Sequence, residues 1–166
     1  MELDFIHETK QRQSKPRYCK PASVKVLERL HFERKKMKHP DIPYPVRTTF
    51  RDDKANDLTR CIIAWLQLNG HFGGRVNTGG TYSEKLGKYI RSGSKKGMAD
   101  ITAVMNGKHV SIEVKTGRDR IRENQMKVKQ EIERAGGVYI VVHSFDDFLE
   151  QIKRLLTSAE NSADIS

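Results

Sequence analysis

From Lys54 onward, apolar positions follow two periods in turn. Leu58, Ile62, Trp65 and Leu66 recur at helical spacing and Gly70 closes the run, which predicts a helix. Phe72 to Asn77 reads as a short strand that ends at the turn residues Gly79-Gly80. Lys88 to Arg91 is a weaker strand candidate, followed by the polar loop Ser92 to Gly97. Ala99 to Met105 and Lys108 to Lys115 are two strand-like runs around Asn106-Gly107, a dipeptide suited to a hairpin loop whose two residues both need positive φ. A helix is predicted from about Arg122 to Ala135, with Ile121, Val128, Ile132 and Ala135 as its apolar stripe and Gly136-Gly137 as its end. Val138 to Val142 is a continuous apolar run, as a buried strand requires. Ser144 then caps a last helix with Asp147 three residues on, whose buried face is Phe145, Phe148, Leu149, Ile152, Leu155 and Leu156. The order α-β-β-β-α-β-α predicts an α/β sheet with helices packed on it.

The residues before Lys54 differ. All five prolines fall in the first 45 positions, and residues 1–47 hold twelve basic against six acidic side chains. Ala22 to Met37 reads as a short helix with Val24, Leu27, Leu30 and Met37 on one side, ending in the basic run Arg34, Lys35, Lys36 and Lys38. Two readings stand: a solvated, partly disordered arm, or an arm that tracks a phosphate backbone. The expected division is a basic arm over residues 1–50, a folded domain over 51–157 and a polar tail over 158–166.

Composition narrows the function. The 166 residues carry a net charge of +10, which favours a polyanionic partner, nucleic acid first. No long basic amphipathic helix with an aromatic apolar face speaks for a membrane surface, and no apolar run approaches a membrane span. Cys19 and Cys61 are the only cysteines, too few for a disulfide framework or a Cys-rich zinc site. Met1 to Lys10 lacks the apolar stretch of a signal peptide. The expectation is a soluble protein of a reducing, cytoplasmic compartment.

The hairpin fixes a register. A two-residue loop pairs Met105 with Lys108, and stepping back along both strands pairs Thr102 with Ser111, Ile101 with Ile112 and Asp100 with Glu113. Lys115, two residues past Glu113, shares that face. The opposite face (Ala99, Ile101, Ala103, Met105, Val110, Ile112 and Val114) is apolar throughout. Two carboxylates directly opposed repel, and a divalent cation relieves that repulsion. Mg²⁺ suits the pair, with Mn²⁺ as substitute, because it binds through one or two carboxylates and leaves positions for water and phosphate oxygens. A neighbouring lysine can position or deprotonate the attacking water, or stabilise charge on the phosphate. Asp100 and Glu113 are thus candidate metal ligands and Lys115 a candidate catalytic lysine. Lys95 and Lys96 lie in a basic loop just before Asp100; with Arg75, Arg91 and Arg118 they are the candidate nucleic-acid contacts. Without the register, the same Glu-x-Lys spacing describes an ordinary surface ion pair.

Gln125 interrupts the apolar stripe of its helix. It either bonds a strand carbonyl at the core edge or helps hold Lys115 or a water at the site. Nucleophile schemes find little support, since Cys61 falls in a buried helical stripe and His109 lies far from the carboxylate end of the hairpin.

The stretch Gly97-Met98-Ala99-Asp100, then Ile112-Glu113-Val114-Lys115, then Gln125 resembles the PD-(D/E)xK nuclease superfamily, and within it the VRR-NUC branch. Trp65-Leu66 and Arg75-Val76-Asn77-Thr78-Gly79-Gly80 look similar to the same branch, so the resemblance covers about Lys54 to Phe148. It implies a restriction-endonuclease-like fold and metal-dependent hydrolysis of DNA phosphodiester bonds, with Asp100 and Glu113 as ligands, Lys115 as catalytic lysine and Gln125 beside them. Ala99 stands where the family has proline. The family's acidic residue on the first helix matches Asp57, with Asp53 behind it; either also fits an N-cap. Two readings compete, an active nuclease and a catalytically inactive nucleic-acid-binding module on the same fold. A third is an interaction protein whose basic arm docks an acidic partner. Symmetric cutting of two strands would favour a homodimer.

Overall fold

The structure, a computed structural model, describes residues 17–163 apart from 78, 91 and 92, and side chains as far as residue 157. In chain order the elements are α1 (Ala22–Lys38), α2 (Ala55–Leu68), β1 (Phe72–Arg75), β2 (Thr81–Ser83), β3 (Lys88–Ile90), β4 (Ile101–Met105), β5 (Lys108–Val114), α3 (Glu123–Arg134), β6 (Val138–Val142) and α4 (Phe145–Ala163).

The main sheet runs β1-β4-β5-β6. β1 and β5 flank β4 antiparallel, and β6 joins β5 in parallel. Asn106 and Gly107 both have positive φ, 48° and 76°, the loop conformation that matches the twist of its strands. Met105 pairs with Lys108 and Ile101 with Ile112, the register expected from the sequence.

Helices cover both faces. On one, α2 and α4 pack on the sheet over Ile101, Ala103, Met105, Val110, Ile112 and Val114, and α1 packs on α2 and α4. Leu58, Ile62, Leu66, Phe145 and Phe148 are among the side chains with essentially no exposure, each contributing about 1.5–3 kcal/mol by burial. On the other face α3 lays Val128 and Ile132 over Ala99, Tyr139 and Val141. This mixed α/β layering is the restriction-endonuclease-like arrangement.

Four local readings are corrected. β4 begins at Ile101, not Ala99; before the ladder starts strand alternation does not apply, and Ala99 packs under α3 instead of joining the Ile101 face. On α1 only Val24 and Leu27 are buried, while Leu30 and Met37 are exposed, because the helix leans on the domain with its N-terminal half. α3 starts at Glu123 and its Ala135 is exposed. α4 continues past Thr157 to Ala163, so helix extends into the expected polar tail.

Residues 17–50 are fastened to the domain by polar contacts as well as by Val24 and Leu27. Tyr18 donates its hydroxyl to the buried Asp52 carboxylate at 2.8 Å, and the other Asp52 oxygen accepts the Phe145 N–H at the start of α4 at 3.2 Å. A carboxylate is favoured at a helix N-terminus. Glu28 accepts from Lys20 at 2.6 Å and from the Phe50 N–H at 2.7 Å.

Candidate active site

Asp100 is fixed from three sides. Gly97 has φ +90°, and a Cβ there would collide with the backbone of Asn124 in α3, so only glycine lets this loop lie against the helix. Met98 and Ala99 then pack beneath α3. The Asp100 carbonyl accepts the Val76 N–H at 2.8 Å, and its Oδ2 accepts the Val114 N–H at 2.9 Å. Asp100 therefore bridges the ends of β1 and β5, one step beyond the Ile101–Ile112 pair.

Glu113 is buried in mid-sheet, 2% exposed, and in register with Val141 of β6. Its Oε1 accepts from Gln125 Nε2 at 2.5 Å and from Lys115 Nζ at 2.9 Å, and its Oε2 accepts from the Tyr139 hydroxyl at 3.4 Å. Lys115 is 3% exposed; its ammonium also meets Asp119 Oδ2 at 3.2 Å. The Lys115 N–H bonds the Val142 carbonyl, which holds the side chain at the end of the parallel pair.

Burial raises the Glu113 carboxyl above its ordinary range, and the nearby Asp100 charge pushes the same way. The Lys115 ammonium and the Gln125 amide pull against them without cancelling the rise. For Lys115, burial acts to lower the pKa, but the hydrogen bonds and charges of Glu113 and Asp119 together raise it, so its proton is held more tightly. Burial and the Glu113 charge raise the Tyr139 hydroxyl far above its usual value, leaving it a donor.

The sequence candidates separate into a cluster and a periphery. Glu113, Lys115 and Gln125 touch, and Asp100 is close enough to act on Glu113 electrostatically. Gln125 bonds Glu113 itself, neither a strand carbonyl nor Lys115, and its Oε1 accepts the Arg122 N–H at the start of α3 at 3.0 Å. Asp57, in the first turn of α2, lies 3.7 Å from Arg60, and Asp53 forms a two-bond pair with Arg51. Among the described residues no three His, Cys, Asp or Glu side chains gather as a metal cluster. Arg75 bonds Asn56 at 2.7 Å, Lys95 ion-pairs with Glu131 of α3, and Lys96 and Arg118 are exposed in turns. Arg91 lies outside the described residues. His109 faces Thr102 at 3.0 Å, away from the carboxylates.

Two site residues escape sequence reasoning. Tyr139 sits in the apolar run of β6 and reads as core. Its signal is parity: in a parallel pair with β5, the position beside Ser111 shares the Glu113 face. Asp119 follows Lys115 at a spacing that only the turn after Gly117 brings together.

The donor set suits a small hard cation. Asp100 and Glu113 offer carboxylate oxygens, and such a pair leaves other coordination positions to water and phosphate. One lone pair of Glu113 Oε2 stays uncommitted, and Asp100 Oδ1 takes no hydrogen bond from the described residues.

No curated protein matches the chain. The family model described as "VRR-NUC domain" matches residues 53–146, more than half of the chain and the whole stretch from α2 to the start of α4. That stretch contains each of the four clustered residues, and the chain belongs to the VRR-NUC family of nuclease domains.

Proposed function

We propose that this protein is a divalent-metal-dependent nuclease that hydrolyses DNA phosphodiester bonds, with Asp100 and Glu113 as metal ligands and Lys115 as the catalytic lysine. The observation that carries this reading is the buried Glu113, held by Gln125, Tyr139 and Lys115 beside Asp100. Burying such a charged group is costly, and a fold that only needed stability would do as well with apolar residues.

Mg²⁺ bound at the two carboxylates supplies Lewis-acid charge to the phosphate and acidifies an attacking water. Gln125 and Tyr139 hold the Glu113 carboxylate in one orientation, the task of groups behind a metal ligand. Asp100 is held through Oδ2 by the Val114 N–H, which leaves Oδ1 to a metal. Lys115 keeps its proton, so it offers N–H donors and a positive charge to the phosphate oxygens as charge builds there. Lys96, Arg75 and Arg118 border the site and suit contacts to the phosphate backbone. Free Cys19 and Cys61 suit a cytoplasmic setting.

The test is a panel of labelled DNAs (duplex, nicked, flapped, branched and single-stranded) incubated with Mg²⁺ or Mn²⁺. Metal-dependent cleavage of at least one, abolished by a chelator, is expected, and the panel names the preferred structure. No cleavage of any member, with salt-sensitive binding intact, would favour the inactive binding module.

A further inference from the structure

The chain between β1 and Asp100 leaves the main sheet and builds a separate two-stranded ribbon from β2 and β3. Its root is the active site. Val76 donates to the carbonyl of Asp100, and Ser94 Oγ donates to the Asn77 carbonyl at 2.9 Å, closing the insertion where it departs and returns.

The ribbon exposes what a folded domain usually hides. Tyr82 and Tyr89 are directly opposed in the ladder, so their side chains share a face, and they are 58% and 66% exposed. Leu86 in the connecting turn and Ile90 in β3 are exposed as well. An isolated two-stranded hairpin is marginally stable, so exposed aromatic rings on one favour a ligand that covers them.

Tyr89 is placed rather than loose. A Cβ on Gly80 would run into the Tyr89 ring, so that ring lies close over a backbone that only glycine leaves open. Gly87, at φ +58°, allows the tight turn after Glu84–Leu86. Lys85 and Lys88 lie on the ribbon, and Lys95 and Lys96 at its return, against the single acidic Glu84 within it. Aromatic rings interleaved with lysines match a polyanion with flat faces.

We propose that the ribbon of residues 81–90 is a base-stacking arm, whose Tyr82 and Tyr89 stack on unpaired nucleotides of the DNA held at Asp100 and Glu113. This deepens the nuclease reading and rests on it. Stacking is sequence-tolerant, because every base has a π-face, and the lysines track the neighbouring phosphates. Substrates with single-stranded character near the scissile bond are then preferred over continuous duplex.

The test compares the full chain with Tyr82→Ala/Tyr89→Ala and Tyr82→Phe/Tyr89→Phe. Binding to oligo(dT) and to a blunt duplex is measured over a salt series in chelator, and cleavage of a flapped DNA is measured with Mn²⁺. The alanine pair should weaken oligo(dT) binding about tenfold per lost stack with an unchanged salt slope, while duplex binding barely moves. The phenylalanine pair should keep wild-type affinity. Equal oligo(dT) affinity for wild type and the alanine pair, with cleavage intact, overturns the arm but not the nuclease. A change in sedimentation without a change in DNA affinity also overturns it, since the ribbon then joins two copies of the chain. Absence of cleavage in the wild type itself removes the nuclease reading instead.

Discussion

Gln125 Nε2 donates to Glu113 Oε1 at 2.5 Å, joining the first turn of α3 to the C-terminal end of β5. The same amide accepts the Arg122 N–H through its oxygen, so both ends of the side chain are committed and its orientation is fixed. Gln125→Ala should lower the cleavage rate about 10–100-fold and weaken Mn²⁺ binding, with little change in secondary structure, because Glu113 loses the group that aims it. Single-turnover rates and calorimetric metal titration check this. A variant with wild-type rate and affinity would mean that the glutamine only caps its helix.

Asp100 and Glu113 should interact unfavourably when both are ionised and no metal is present. Glu113 is raised by burial first and by Asp100 as well, so in the folded protein it binds a proton at a pH where the unfolded chain has already lost it. Its contribution to stability is therefore full below the ordinary carboxylate range and is lost as pH rises through the raised folded value. Asp100→Asn removes one charge of the pair, and its amide oxygen can still accept the Val114 N–H. In chelator, this variant should melt higher than wild type at neutral pH, by up to about 1 kcal/mol, and the advantage should vanish toward pH 4. Thermal unfolding of both proteins across that range measures it; a neutral-pH disadvantage that persists in acid would contradict the repulsion.

Glu113→Gln is a different case, because Glu113 is also the buried ion partner of Lys115. Breaking such a pair strands the remaining charge, and a loss of about 3 kcal/mol is expected in place of a gain. Chemical denaturation of the two carboxylate variants side by side distinguishes their roles.

The segment before residue 51 should not be dispensable. Removing residues 1–47 strips Val24 and Leu27 from the core and leaves the Asp52 carboxylate without Tyr18. The loss is expected to be several kcal/mol, at about 1.5–3 kcal/mol for each apolar side chain alone. DNA contacts by the basic end of α1 are better probed with Lys36→Gln/Lys38→Gln, which keeps the buried face intact. If those lysines touch phosphates, the log–log salt slope on duplex DNA falls by about 0.9 per contact. A truncated chain that unfolds cooperatively at the wild-type temperature would contradict the packing.

The hairpin was legible because Asn106-Gly107 leaves one loop length, and one loop length leaves one register, which runs from Met105–Lys108 to Ile101–Ile112 and leaves Asp100 one step further on, near enough to act on Glu113. β6 was legible to its ends because its apolar run is bounded by Gly137 and Ser144. What covers the polar face of β5 was not. Ser111, Glu113 and Lys115 alternate with apolar residues as an exposed face would, yet α3 and β6 bury all three. Tyr139 was hidden for the converse reason, a polar tip carried on a ring that reads as core. The helical stripe of α1 marked a helix but misjudged its depth, since Leu30 and Met37 follow the period and still face solvent. The ribbon was half seen: the β3 run was marked and its partner Thr81–Ser83 was not.

The central claim is that Asp100 and Glu113 hold the metal while Lys115 acts on the phosphate without being a ligand. The most direct measurement is calorimetric Mn²⁺ binding, alongside Mn²⁺-dependent cleavage, on wild type, Asp100→Asn, Glu113→Gln and Lys115→Met, each verified as folded. Cleavage should be lost in all three variants. Metal binding should be lost or much weakened in the two carboxylate variants and kept in Lys115→Met. Full cleavage by Glu113→Gln, or equal metal affinity across the four proteins, would contradict the assignment and leave the Glu113–Lys115 pair a buried structural salt bridge.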